Sequence, residues 1–338
     1  MYKKFLALFP AIAIDLGSSQ VRVWVSGAQE PVSIASVVAL DARGNLVALG
    51  KQAQDLMERT ARDLQIITPV ELGVVRDESA ATMLVQAAIA QQSELLRWKF
   101  PPVMMMTIPV QANRVQQERA QQFLMSLGAR EAYLIAQPLA ATIGAGVPIA
   151  DTAGSVVVQL GSGRVEVAAL TLGGITNSAS CEFGGRSLLE QLRMSLREQY
   201  HLEISLSGAE SLLHSLVLRA DVEQRVRVTG KDVSGGAPKI ITIDGSTLIE
   251  SLQQVVDRYV SLVIEVLSQV PPAVTGDIVD RGILLSGGLA QLPGLSEYLG
   301  NKLQLPCSVV EEPAMAAIKG AHLALSHIGE FKELFTNE

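Results

Sequence analysis

Asp15-Leu16-Gly17-Ser18-Ser19-Gln20 sets a carboxylate at the end of an apolar stretch, with small hydroxyl-bearing residues directly after it. In a tight turn such residues let backbone N–H groups approach an anion, and the hydroxyls of Ser18 and Ser19 add donors. Asp15 suits a hydrated Mg2+, which takes one or two carboxylates together with phosphate oxygens. Gly161-Ser162-Gly163 is a second turn of the same kind. Ser286-Gly287-Gly288, after an apolar run, is placed to back a base or α-phosphate at a helix start. Each turn alone has a plain explanation in hairpin geometry. Three of them in this order predict a polyphosphate gripped from two sides. The chain contains no G-x-x-x-x-G-K-[ST] and no G-x-G-x-x-G, which disfavours P-loop and dinucleotide folds.

The elements that would position these turns can be read from periodicity. Ile14 to Val23 can be laid over Val158 to Val167, so that Asp15 meets Gln159 and Gly17 meets Gly161. Both segments are an apolar strand, a Gly/Ser turn and an alternating strand. Two readings fit this echo: unrelated hairpins that share Leu-Gly-Ser, or a duplicated domain whose two turns face one cleft. Val103 to Ile108 reads as a buried strand that includes Met104-Met105-Met106, Gln111 to Leu127 as a helix stopped by Gly128, and Ala132 to Ile135 as a strand. Gln137 to Ala145, Leu188 to Tyr200 and Leu248 to Val270 read as helices, the last ending at Pro271-Pro272, with Gly282 to Leu285 a strand. Strands alternating with helices imply an α/β fold of mixed sheets covered by helices.

The composition narrows the function. The 338 residues carry a net charge of −7, with 48% hydrophobic and 18% charged side chains. That suits two domains with large cores and disfavours disorder or a basic nucleic-acid surface. Cys181 and Cys307 are too few for a disulfide framework, and four histidines with no C-x-x-C disfavour a zinc site. Phe5 to Ile14 is interrupted by Pro10 and falls short of a membrane span, and the start reads as retained rather than as a cleaved leader. Phe5 and Leu6 beside Lys3 and Lys4, and Leu96, Trp98 and Phe100 beside Arg97 and Lys99, could rest on a lipid surface or pack on the protein.

The chain resembles the MreB family of bacterial actin-like proteins, within the superfamily of actin, sugar kinases and heat-shock chaperones. The resemblance rests on Ile14-Asp15-Leu16-Gly17-Ser18, Ile108-Pro109, Gly128-Ala129-Arg130-Glu131-Ala132-Tyr133-Leu134-Ile135, Pro138-Leu139-Ala140-Ala141 and Ile143-Gly144-Ala145-Gly146. It continues through Leu172-Gly173-Gly174-Ile175, Gly184-Gly185, Val228-Thr229-Gly230-Lys231-Asp232, Asp277 to Ile283, and Glu312-Pro313, in family order over nearly the whole chain. The resemblance implies an actin-like ATPase fold, with two duplicated domains and four subdomains around a nucleotide cleft. The expected division is 1–146 with a small subdomain at 33–75, 147–320 with one at 181–245, and a C-terminal helix at 321–338 returning to the first domain. It also implies ATP and Mg2+ as ligands, self-assembly into filaments, and work with wall-synthesis or shape proteins in the cytoplasm at the inner membrane face. An amphipathic start or the loop around Trp98 would be the membrane anchor.

The departures from the family fall on the chemistry. Gln159 stands where the second phosphate motif has an acid that helps to place Mg2+ and water, and Ser162 and Arg164 replace a Gly and a Thr of that loop. Gln137 stands where the family usually has the glutamate thought to orient the attacking water. A glutamine can orient water but cannot take its proton. Arg186 and Leu189 replace common acids, Leu213 replaces a ribose-side lysine although Glu210 is kept, and Leu289 replaces a Gly of the turn that begins Gly287-Gly288. The expectation is an ATP-binding filament protein with hydrolysis slow or absent. The rivals are a non-filamentous adaptor of the same fold and a sugar or acetate kinase. A kinase is disfavoured by the lack of a cleft aspartate beyond Asp15, and a chaperone by the lack of a peptide-binding domain before Glu338.

Overall fold

Strict alternation along Gln20–Val25 buries Val21, Val23 and Val25 and turns Gln20, Arg22 and Trp24 to the other face, the period of a strand, and that second face is partly covered, with Trp24 stacked on His322. The computed structural model describes residues 10–59, 63–92, 100–148, 153–172, 174–219 and 222–328. The first half holds strands β1 Ala11–Leu16, β2 Gln20–Val25, β3 Val32–Ala35, β4 Val38–Asp41, β5 Leu46–Leu49, β6 Leu64–Ile67, β7 Val70–Glu71, β8 Val74–Val75, β9 Val103–Ile108 and β10 Glu131–Ala136. Its helices are α1 Lys51–Glu58, α2 Glu78–Ala90, α3 Arg114–Ser126 and α4 Gln137–Gly144. The second half holds β11 Ser155–Leu160, β12 Val165–Thr171, β13 Gly174–Cys181, β14 Leu202–Glu203, β15 Arg225–Asp232, β16 Pro238–Asp244, β17 Ile283–Ser286 and β18 Cys307–Val309. Its helices are α5 Gly185–Tyr200, α6 Leu206–Ser215, α7 Ser246–Gln269, α8 Pro272–Arg281, α9 Leu295–Leu303 and α10 Ala316–Ser326.

The two large sheets repeat one plan. One runs β10-β9-β1-β2-β3 and the other β18-β17-β11-β12-β13. In each, a central strand pairs in parallel with one neighbour and in antiparallel with the hairpin strand that follows it. The register sets Asp15 opposite Arg22 and Gln159 opposite Glu166. The echo in the sequence is therefore a duplication of topology, and unrelated hairpins do not account for it. The methionine run is buried strand, with Met104, Met105 and Met106 at most 3% exposed. Smaller sheets run β5-β4-β6 in the first half and β14-β15-β16 in the second.

Local chemistry explains where helices start and stop. The helix expected from Gln111 begins at Arg114, because the Asn113 and Gln116 side chains form a reciprocal cap. Pro271-Pro272 ends α7 as expected, yet Pro272 also opens α8, since a proline in the first turn lacks only an N–H that would be unpaired there. The last described helix begins at Ala316, ahead of the expected 321, and its tail beyond 328 lies outside the described residues.

Helices α4 and α10 form the middle layer between the two sheets. One buried cluster joins Ala13, Met105 and Ile135 of the first sheet, Leu139 and Ala140 of α4, Ile318 and Ala321 of α10, and Val157 and Ala168 of the second sheet. The helices touch backbone to backbone. A Cβ on Gly320 would lie 1.6 Å from the Ala140 carbonyl oxygen, and one on Gly144 would lie 1.9 Å from that of Ala316. A second tie is polar. Glu166 of β12 is fully buried, and its Oε1 accepts the Val110 N–H at 2.7 Å from the segment after β9. Burial pushes its carboxyl up to about 7; the Val110 N–H and Arg164 pull it down, and Asp15 pushes it up.

Two predictions follow from these ties. Gly320→Val should lower unfolding free energy in urea by at least about 3 kcal/mol, and an unchanged midpoint would contradict the close crossing. For Glu166 the folded group is raised, so its stabilising contribution is complete below the unfolded value of 4.5 and is lost as pH rises through about 7. Glu166→Gln keeps an acceptor for Val110 but cannot ionise. The variant should therefore exceed the parent in stability by about 3 kcal/mol at about pH 8, with the gap closing near pH 4. A gap independent of pH would refute the assignment.

Candidate functional site

The two Gly/Ser turns are built alike. Gly17 N–H donates to the Gln20 carbonyl at 3.0 Å, and Gly161 N–H donates to the Arg164 carbonyl at 3.0 Å. A Cβ at either glycine would meet that carbonyl oxygen at 2.8 Å, so both turns require glycine. They also face each other. A Cβ on Gly163 would sit 2.9 Å from Ser18 Oγ, and Ser18 Oγ in turn accepts the Gly73 N–H at 3.4 Å. Gly287, at φ +88°, packs its backbone onto Leu160, where any side chain would strike the carbonyl at 2.3 Å.

These turns line one cleft of about 460 Å3, a usual size for a small-ligand site. It gathers Asp15, Gly17, Ser18, Ser19, Gln20, Gln137, Gln159, Gly161, Ser162 and Gly163 together with Glu210, Gly287, Gly288 and Leu289. Every nucleotide-side residue expected from the sequence is thus on a single surface. Leu189 and Leu213 line it too, beside Glu210 and His214. Arg186 differs from expectation: its backbone N–H donates to the Ser162 carbonyl at 2.8 Å, while its side chain is exposed and outside the lining. Between α1 and the start of α6, both Glu58 carboxylate oxygens accept from Ser207, one from its N–H and one from its hydroxyl, each at 2.7 Å.

The polar contacts at the base are specific. Asp15 is 4% exposed; its Oδ1 accepts from Thr107 Oγ1 at 2.6 Å and from Gln137 Nε2 at 3.2 Å. Its Oδ2 accepts from Arg22 Nη1 at 3.2 Å. Gln137 thus spends its amide nitrogen on Asp15 and keeps its carbonyl oxygen for the cleft. Gln159, at the equivalent place in the second hairpin, has a buried Oε1 without a protein partner. Arg164 Nη1 lies 3.9 Å from Glu166 Oε1. Arg22, Thr107 and Glu166 were missed as site residues. The signal for two of them was present, because the register that pairs the duplicated hairpins puts Arg22 and Glu166 across from Asp15 and Gln159.

Of the residues read as a lipid-facing surface, Phe5, Leu6, Leu96 and Trp98 lie outside the described residues. Phe100 is described and is 51% exposed. Among the described residues no helix is long and apolar enough to cross a membrane.

Comparison with known proteins agrees with this geometry. The chain is 32% identical over 336 residues to the cell shape-determining protein MreB of Escherichia coli K12, covering 97% of each. The crystal structure of MreB5 of Spiroplasma citri bound to ADP superposes with a TM-score of 0.89 at 26% identity, covering 96% of this chain and 98% of that one. The same protein bound to AMPPNP superposes with a TM-score of 0.87. The MreB/Mbl protein family matches residues 10–333. The chain belongs to the MreB/Mbl family and has its actin-like fold.

Proposed function

We propose that the cleft binds ATP and that the nucleotide-bound chain assembles with copies of itself into a cytoskeletal filament that serves cell shape. The observation that carries this reading is the opposition of Ser18 and Gly163, two equivalent turns from two duplicated sheets meeting at one cleft. Backbone N–H groups in such turns, with the hydroxyls of Ser18, Ser19 and Ser162 beside them, suit a polyphosphate held between the halves. Gly287 and Gly288 leave backbone free near the base or α-phosphate, and Glu210 is placed for a sugar hydroxyl. The relatives supply the rest of the reading: the S. citri protein is bound to ADP or AMPPNP, and the E. coli protein is a cell shape-determining one.

Hydrolysis in this reading is slow. An attacking water can be oriented by the Gln137 carbonyl oxygen, but an amide takes no proton at neutral pH. Gln159 supplies no carboxylate across the cleft, and Glu166, its partner in the hairpin, is fully buried and spends one oxygen on Val110.

Titration of the full chain with a fluorescent ATP analogue should show saturable binding, and electron microscopy with ATP should show filaments. Gly163→Val should weaken binding by about tenfold or more and abolish filaments with unchanged circular dichroism. Parental binding by that variant would refute the clamp. Phosphate release from the polymerised protein should be slow and should rise by about tenfold or more in Gln159→Asp. Rapid release from the parent chain would remove the argument from the two glutamines.

A further inference from the structure

The fold family implies Mg2+ between a cleft carboxylate and the phosphates, and the residues at this cleft base do not fit it. Asp15 is the carboxylate of the first turn, and both its oxygens are already engaged, by Thr107 and Gln137 on one side and Arg22 on the other. The Arg22 guanidinium, 3.2 Å from Oδ2, holds a fixed positive charge where a divalent cation would approach, so the two cations would repel at short range. The second turn offers the neutral amide of Gln159 instead of an acid. Glu166 is fully buried with one oxygen on Val110, and Glu210 belongs to α6, outside both hairpins.

The positive charge has instead been built into the protein. Arg22 and Arg164 both line the cleft, one in each hairpin, with side chains 14% and 15% exposed. Their commitments to the protein are slight. Arg22 donates one hydrogen bond, to Asp15, and Arg164 stands 3.9 Å from Glu166 without a hydrogen bond. Among the described residues the Nε of each has no partner. A guanidinium presents five donors, is charged at every working pH and matches phosphate oxygens in pairs. Two of them flanking opposed anion-binding turns supply what a bound dication would: charge neutralisation and a fixed direction of approach.

Resting on the reading of this cleft as a nucleotide site, we propose that Arg22 and Arg164 take the place of Mg2+, so that the cleft binds free nucleoside triphosphate without a divalent cation.

The test is a titration of the full chain with a fluorescent ATP analogue, once with Mg2+ and once with EDTA. The expected dissociation constants agree within about fivefold. In Arg22→Leu, which frees Asp15 and removes the positive charge, binding in EDTA should weaken by about tenfold or more and Mg2+ should restore part of it. Arg164→Gln should weaken binding in both buffers, and it serves as the second probe if Arg22→Leu does not fold. Loss of more than about fivefold in EDTA by the parent chain would overturn the proposal while leaving the nucleotide site standing. Absence of binding in both buffers would overturn the nucleotide reading itself.

Discussion

The crossing of α4 and α10 at Gly144 and Gly320 governs the geometry of everything else. Each helix presses a side-chain-free position onto a carbonyl of the other, so the pair is thinner than any helix pair with side chains at the contact. Because it is thin, both sheets can bury against it at once, and a single cluster reaches from Ala13 in the first sheet to Ala168 in the second. The turns after β1 and β11 sit at the ends of the two central strands. Their separation is therefore set by the thickness of the middle layer, and Ser18 can meet Gly163. A side chain at the crossing would act on the cleft without touching it, by pushing the sheets apart.

Duplication of the backbone has not preserved the chemistry of the two hairpins. The first carries acid then base, Asp15 opposite Arg22; the second carries amide then acid, Gln159 opposite Glu166, with Arg164 next to the acid. Each half therefore contributes one guanidinium to the cleft lining, but only the first contributes its hairpin carboxylate, since Glu166 is buried beneath it. Asp15 keeps a cation within hydrogen-bond reach, whereas Glu166 is buried with its raised pKa and touches its arginine only at the limit of an ion pair. A carboxyl that ionises near neutrality in a dry site is poorly matched to holding a metal ion, and it leaves Arg164 free to meet an anion.

Much of this was readable from the residues. The hairpin echo survives as register, Asp15 and Gln159 occupy equivalent rungs, and the turn glycines are required by carbonyls 2.8 Å away. Periodicity identified α7 because its buried residues recur at helical spacing from Leu248 to Val266. What escaped had no local signature. Arg22 looks like an ordinary wet-face residue of an alternating strand, and only the neighbouring strand shows that its face is the cleft. Thr107 reads as part of an apolar strand until the parallel pairing of β1 with β9 brings it beside Asp15. Arg186, read as the replacement of an acid after Gly184-Gly185, lends its backbone N–H to Ser162 and has its side chain exposed.

The contacts that join the halves differ in strength. Val110 and Glu166 meet where water is excluded, and breaking that contact strands a buried carboxyl and a backbone N–H. Glu58 accepts two short hydrogen bonds from Ser207 near the start of α6, where the helix dipole favours its charge, but the contact is exposed. Exposed polar contacts exchange readily with water and contribute little net. The halves are thus joined by one buried contact that water cannot replace and one exposed contact that it can.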